Sequence, residues 1–160
     1  MKNIDLKIQY QFCQLDELEE SERMLVEKAI KATDNSYAIY SHFHVGAAVL
    51  LDDGTVVVGA NQENAAFPSG LCAERTAIFA AQAQYPQKAV VMLAIAAKNE
   101  NGLVATPVSP CGACRQSILE VEERYHQPIH ILLYGTDGVY VIHSIKDLMP
   151  LCFLDSDMRQ

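Results

Sequence analysis

From Leu15 to Thr33 apolar residues return at helical spacing, at Leu18, Met24, Leu25, Ala29, Ile30 and Ala32. The composition around them is helix-forming, so a first helix is predicted there. The next apolar run, Val45 to Leu51, ends at Asp52-Asp53-Gly54, and β-branched residues come after it from Thr55 to Ala60. An Asp-Gly step between two such runs predicts a β-hairpin. Asn61 to Gly70 carries Asn, Pro, Ser and Gly and reads as a loop. The Ala-rich run from Cys72 to Gln84 predicts a helix ended by Pro86. Ala89 to Ala97 is continuously apolar, as a strand buried on both faces is. After a loop from Asn99 to Pro110, Gly112 to Tyr125 predicts a further helix. Ile129 to Tyr134 and Val139 to His143 read as strands around a turn at Asp137-Gly138. Ser144 is placed to cap a last short helix reaching Leu148, which Pro150 limits.

Strands alternating with helices predict an α/β layered fold with a mixed sheet, antiparallel at the hairpin and parallel across the βαβ crossovers. No repeat, low-complexity segment or linker interrupts the 160 residues, so residues 1–160 read as a single domain. Half of the residues are hydrophobic. A domain of this size buries roughly 70% of the surface its unfolded chain exposes, enough for a core without disulfide staples.

Charge narrows the partners. Twenty acidic residues against 12 basic give a net charge of −8, which repels a phosphate backbone, so no nucleic acid is expected as a partner. The acidic run from Asp16 to Glu22 reads as a solvated helix face. Met1 to Gln14 lacks the basic start and apolar run of a signal peptide. No stretch approaches the ~18 to 20 apolar residues that span a bilayer, so no membrane partner is expected and the location is read as cytoplasmic. The five cysteines are Cys13, Cys72, Cys111, Cys114 and Cys152. An odd number in such a chain argues against a disulfide framework, and the close pair needs another explanation.

Two segments carry candidate chemistry, Cys72-Ala73-Glu74 and Pro110-Cys111-Gly112-Ala113-Cys114, and each opens a predicted helix. Cys111 and Cys114 are three apart, which puts them on one helical face at about 5 to 6 Å between Cβ atoms. That spacing suits two thiolates on one zinc ion, although a redox pair shares it. Cys72 supplies a third sulfur, and three protein ligands with one open position make the arrangement of a catalytic zinc site. Glu74 can face the same ion only at the helix start, where the dipole also favours an ionised carboxylate. Three thiolates on one dication leave a net negative charge, and Arg75 is a candidate donor to the sulfurs that offsets it. A structural zinc site with a distant fourth ligand remains an alternative, and Cys13 and Cys152 read as small apolar residues.

With these segments the chain resembles the small three-cysteine zinc cytidine deaminases. The general signature of zinc deaminases is H-x-E, or its cysteine equivalent, with P-C-x-x-C further along the chain. Cys72, Glu74, Cys111 and Cys114 match it here. The resemblance runs from about Tyr37 to Phe153. Ser41-His42-Phe43-His44-Val45-Gly46-Ala47-Ala48 is similar to the segment whose Phe packs against the base or sugar. Asn61-Gln62-Glu63-Asn64-Ala65 resembles the segment whose Asn and Glu hold the ribose 3′-hydroxyl. Leu148-Met149-Pro150 and Phe153 resemble a C-terminal segment whose aromatic covers a ligand. The residue chemistry agrees: an amide and a carboxylate together suit a hydroxyl that donates and accepts, and flat aromatic faces stack on bases. Phe67 stands where many relatives carry Tyr, and His44 where they often carry Pro. The pair His42 and His44 reads as a loop or interface feature in preference to a second metal site.

The resemblance implies a three-layer α/β/α sandwich with a mixed, mostly five-stranded sheet. It also implies one Zn2+ per chain on Cys72, Cys111 and Cys114, Glu74 as the catalytic proton carrier, and a substrate site formed by Phe43, Asn61, Glu63, Ala73, Phe67 and Phe153. The implied reaction is hydrolysis of cytidine, and of deoxycytidine, to the uridine and ammonia in pyrimidine salvage. The implied assembly is a homotetramer with active sites near subunit interfaces. Two alternatives stay open: a deaminase of another aminopyrimidine nucleoside such as blasticidin S, and an inert binding protein with a structural zinc.

Overall fold

The computed structural model describes residues 1–159. Three helices flank one sheet: α1 (Glu20–Ala32), α2 (Ala73–Gln84) and α3 (Gly112–Tyr125). The strands are β1 (Gln11–Cys13), β2 (His44–Leu51), β3 (Val56–Ala60), β4 (Val90–Asn99), β5 (Gly102–Leu103), β6 (His130–Gly135) and β7 (Gly138–Ile142). They line up as β1-β7-β6-β4-β2-β3, with β5 paired to the end of β4. The sheet therefore has seven strands, not the five expected. The additions are β1 and β5, which are three and two residues long and too short to carry a periodic signal of their own. Only β4 and β6 pair in parallel, through the α3 crossover; β2 lies between β3 and β4 and pairs antiparallel with both.

The local reasons for the helices are visible at their ends. α1 starts at Glu19 with a reciprocal capping box, in which the Glu22 carboxylate accepts from the Glu19 amide at 3.0 Å. The first helix is thus shorter than the apolar spacing predicts, because Leu15–Glu17 form a separate 3-10 turn. α3 ends where His126 turns left-handed at φ 51°, and Pro128 lies just beyond. Ser144 caps a 3-10 turn over Ile145–Leu148 by accepting from the Lys146 amide, as the sequence indicates.

Side chains sort by strand alternation into two layers of core. Val49, Leu51, Leu93, Ile95, Ile131 and Leu133 face α2 and α3, while Ala48, Ala94, Ala96 and Leu132 face α1. The α1 layer is built mainly from small residues, so that helix sits close to the sheet. Gly46 on β2 allows this: a Cβ there would lie 2.1 Å from the Ala29 carbonyl oxygen of α1. Gly59 on β3 does the same for α2, where a Cβ would lie 2.4 Å from the Ala77 nitrogen. The approach at Gly59 sets the position of the helix that begins beside Cys72.

A buried carboxylate ties the far end of α3 to β6 and to the turn after β7. Glu122 Oε1 accepts from the amides of Ile129 at 2.8 Å and Ile145 at 2.9 Å, and Oε2 accepts from the Ser144 hydroxyl at 2.8 Å. Removing it leaves two buried amides without acceptors, each at a cost of about 1 to 3 kcal/mol. We expect Glu122→Ala to lose roughly 2 to 5 kcal/mol in urea unfolding. Glu122→Gln keeps an acceptor for both amides and should lose much less; equal losses would show that the carboxylate's hydrogen bonds are not what matters.

Candidate metal centre and active site

Cys72 and Cys111 occupy equivalent places, each the extended residue immediately before the first turn of α2 or α3. Neither side chain caps its helix, so both sulfurs are free to turn toward a shared point. Cys114 lies one turn into α3 and is fully buried. The three Sγ atoms lie within 4.8 Å of one another, and Cys72 and Cys111 are 3.8 Å apart. Tetrahedral arms of about 2.3 Å place ligand sulfurs about 3.8 Å apart, so the cluster fits one zinc ion. Among the described residues no fourth His, Cys, Asp or Glu joins the group. That leaves the fourth position open, which is unlike a closed structural site.

Charge supports the same reading. Interaction with the Cys114 thiol first, then with Arg75 and Cys111, outweighs burial and holds the Cys72 thiol down to about 5. The same interaction with Cys72, then burial and the Glu74 charge, push Cys114 well above the ordinary thiol range. Three thiols this close share too little positive charge to ionise together, and a dication supplies what they lack. Arg75 Nη2 lies 3.7 Å from the Cys72 sulfur, the placement its expected donor role requires. Its Nε is buried and has no hydrogen-bond partner among the described residues.

Glu74 sits in the first turn of α2 and is 5% exposed. The helix dipole alone would favour its ionised form. Burial overrides this and raises its pKa, with the Cys72 charge adding to the effect. A carboxyl raised by burial is better suited to taking and returning a proton than one held strongly ionised.

Beside the sulfurs lies a cavity of about 310 Å³ whose walls include Phe43, Asn61, Glu63, Ala73 and Glu74. A second cavity of about 540 Å³ shares Ser41, Asn61, Glu63 and Cys72 with it, and Phe67 lines this outer lobe. The structure thus brings the three cysteines, Glu74, Ala73, Phe43, Asn61 and Glu63 to one cleft. Phe67 stands at its outer part, 74% exposed, with its ring edge-on to Tyr40 at 5.6 Å. Phe153 lines neither lobe. Its carbonyl accepts from Gln116 at 3.1 Å while the ring is 58% exposed, so within one chain it does not cover the cleft.

The two polar residues are held by their surroundings. Asn61 Oδ1 accepts from the Val45 amide at 2.8 Å and its Nδ2 donates to the Phe43 carbonyl at 2.9 Å, so it pegs the start of β2 and with it Phe43. One Nδ2 hydrogen is left for a further acceptor. Glu63 Oε2 accepts from the amides of Tyr40 and Ser41 at 2.8 and 3.2 Å, and Oε1 accepts from the Ser41 hydroxyl. The Ser41 hydroxyl, and after it the Tyr40 amide, holds the Glu63 carboxyl below its usual range. Ser41 belongs to the site as a positioning group, and so do Val108 and Ser109, which line the inner lobe. Adjacency to Pro110-Cys111 is the one sequence signal for the latter two. His44 Nδ1 lies 2.6 Å from the Ser36 hydroxyl, and among the described residues neither His42 nor His44 belongs to a metal-capable group.

Residues 19–126 match the family model described as the cytidine and deoxycytidylate deaminase zinc-binding region, a stretch that holds all three cysteines and Glu74. The cytidine deaminase of Halalkalibacterium halodurans is 38% identical over 137 residues, 86% of this chain and 97% of that one. The cytidine deaminase of Sporosarcina psychrophila is 46% identical over 134 residues, 84% and 92% of the two chains. The crystal structure of cytidine deaminase from Burkholderia pseudomallei superposes with a TM-score of 0.70 at 37% identity, covering 81% of this chain and 97% of that one. A chain that matches this family model over residues 19–126, and these enzymes at 37 to 46% identity over four fifths of its length, belongs to the cytidine deaminase family.

Proposed function

We propose that this chain hydrolyses the exocyclic amine of free cytidine, and of deoxycytidine, giving the corresponding uridine and ammonia. The observation that carries this is the buried carboxylate of Glu74 at the floor of a cleft, two residues after a sulfur of a three-cysteine cluster with an open fourth position. Cys72, Cys111 and Cys114 would hold a zinc ion, which when bound would supply a Lewis acid that eases the ionisation of water. Glu74 takes a proton from water as its oxygen bonds to C4 and delivers it to ring N3. It then takes the remaining proton of the new hydroxyl and passes it to the amine, which leaves as ammonia when the C4–N bond breaks. The backbone at Ala73 meets the polar edge of the base, and the half-buried face of Phe43 packs against it. Glu63, with its Oε1 still able to accept, and the spare hydrogen of Asn61 hold the ribose hydroxyls. Their confinement to the wall next to the sulfurs supports a nucleoside in preference to a free base.

The inert-zinc reading is disfavoured by the lack of a fourth ligand among the described residues. We further propose that residues 1–160 work as one domain, that the enzyme is a cytoplasmic one of pyrimidine salvage, and that it assembles as a homotetramer. The exposed rings of Phe67 and Phe153 fit that assembly, since a neighbouring copy could bring them against a site. No helix of the described residues is long and apolar enough to cross a membrane.

The test records the ultraviolet spectrum of cytidine over time with zinc-loaded protein, beside deoxycytidine and blasticidin S. Conversion of cytidine to the uridine spectrum, faster than any change in blasticidin S, is the expected result. Faster turnover of blasticidin S would overturn the substrate assignment. No turnover of any of the three, in protein holding one zinc per chain, would return the inert-zinc reading.

A further inference from the structure

Residues 1–10 lie before the stretch matched by the family model and outside every helix and strand. Their pattern is nonetheless that of a strand. Ile4, Leu6, Ile8, Tyr10 and Phe12 alternate with Asn3, Asp5, Lys7, Gln9 and Gln11, which gives one apolar and one polar face. Only the end of this run pairs within the chain, where Gln11, Phe12 and Cys13 face Val141, Tyr140 and Val139 of β7. The ladder stops there because β7 ends at Ile142 and Ser144 turns the chain into its 3-10 helix. Tyr10 and Phe12 rest on Tyr140, with ring centroids 5.4 and 5.2 Å away. The apolar stripe therefore begins beside Tyr140 on the α2 and α3 side of the sheet and runs off its edge, leaving Ile4 85% and Leu6 66% exposed. β1 is the last strand of the sheet, so its outer edge has no partner in this chain. An uncovered apolar edge of this kind is a template for another strand.

The arm is complementary to itself. We propose that the arms of two copies of this chain pair antiparallel with Leu6 facing Leu6 of the second copy. Ile4 then faces Ile8, Asp5 faces Lys7 and Asn3 faces Gln9, each twice over by the two-fold symmetry. From Asn3 to Gln9 every apolar residue meets an apolar one and Asp5 and Lys7 meet their opposites, while Lys2 lies against Tyr10. A slip by one residue places the two apolar faces on opposite sides. A shift by one pair in either direction keeps the faces together but sets Asp5 against Asp5 or Lys7 against Lys7. Among these neighbouring registers one is left, and the sequence that selects it is the arm's own. A lipid surface would suit the apolar face equally, but it gives no role to the spacing of Asp5 and Lys7.

The register can be read by cross-linking the zinc-loaded full chain in a glutathione redox buffer, with wild type as the background for the native thiols. Facing residues stand at disulfide distance, whereas two copies of Asp5 lie roughly 7 to 8 Å apart or more in this register. Leu6→Cys should form a covalent dimer on non-reducing gels about tenfold or more faster than Asp5→Cys or wild type. Adding Asp5→Lys to Leu6→Cys should slow the cross-link, and adding Lys7→Asp to that pair should restore it. Equal rates for Leu6→Cys and Asp5→Cys, or no dimer above wild type, would overturn the pairing. So would a double charge reversal that fails to restore the cross-link, or cross-linking abolished while the arm drives the protein onto phosphatidylcholine vesicles. None of these readouts uses turnover, so their failure leaves the proposed reaction untouched.

Discussion

Glu74→Gln is expected to cut the turnover of cytidine by about 10²- to 10⁴-fold, the range typical of a general acid–base group, while zinc stays near one per chain. At 1.36 kcal/mol per factor of ten this corresponds to roughly 2.7 to 5.4 kcal/mol of lost transition-state stabilisation. The substitution changes little else. Glu74 is buried in the first turn of α2, and glutamine fills the same volume without opening a hole beside Ala77 and Ile78. What disappears is the group that accepts a proton and gives it back, because an amide oxygen is far too weak a base. The loss should therefore fall on kcat and leave KM within a few-fold, as expected of an interaction realised in the transition state. Steady-state kinetics beside a colorimetric zinc count checks both halves. A variant within tenfold of wild type would remove Glu74 from the reaction, and one that loses its zinc would make it a structural support of the cluster.

How much of the molecule is legible in the sequence differs by element. The three helices and five longer strands are given by apolar period and punctuation, and the bounds Gly112 and Tyr125 expected for α3 are those observed. Two kinds of feature are not legible. β1 pairs over only three residues, and the alternation it ends, from Ile4 to Phe12, runs mostly over residues with no partner strand among the described residues, so nothing in the pattern marks where the ladder lies. Crossovers indicate which strands run parallel but not which become neighbours, and β2 lies between β3 and β4. In the site, the metal ligands and Glu74 are readable because each lies within a few residues of another at the start of a helix. The grip of Ser41 on Glu63 spans 22 residues of sequence and depends on where two loops meet. Phe153 shows the limit from the other side. A local motif names its residue type but not where packing puts its ring, here outside both lobes of the cleft.

Cys114→Ser should abolish both zinc and turnover and should also uncouple the protein's stability from the metal. Cys114 is the buried member of the cluster, one turn inside α3, while Cys72 and Cys111 stand at the two helix starts. A serine hydroxyl at that place stays protonated and neutral, and a neutral oxygen is a poor substitute for a thiolate on zinc. Two remaining sulfurs, from different helices, cannot hold the ion tightly, so zinc content should fall below about a tenth per chain. The consequence for stability comes from linkage. A ligand present at about 1,000 times its Kd stabilises the folded state by about 4.1 kcal/mol, and here it also joins the starts of α2 and α3. Chelation should thus lower the melting temperature of wild type by several degrees, about 2 to 4 °C per kcal/mol in a chain of this length. The melting temperature of Cys114→Ser should not respond to chelator at all, because nothing remains to be removed. Calorimetry with and without chelator, alongside a zinc count, separates the outcomes. A variant that keeps one zinc per chain would show that the third ligand is not Cys114. A wild type whose melting ignores the chelator would show that the ion bridges the two helices without stabilising the fold.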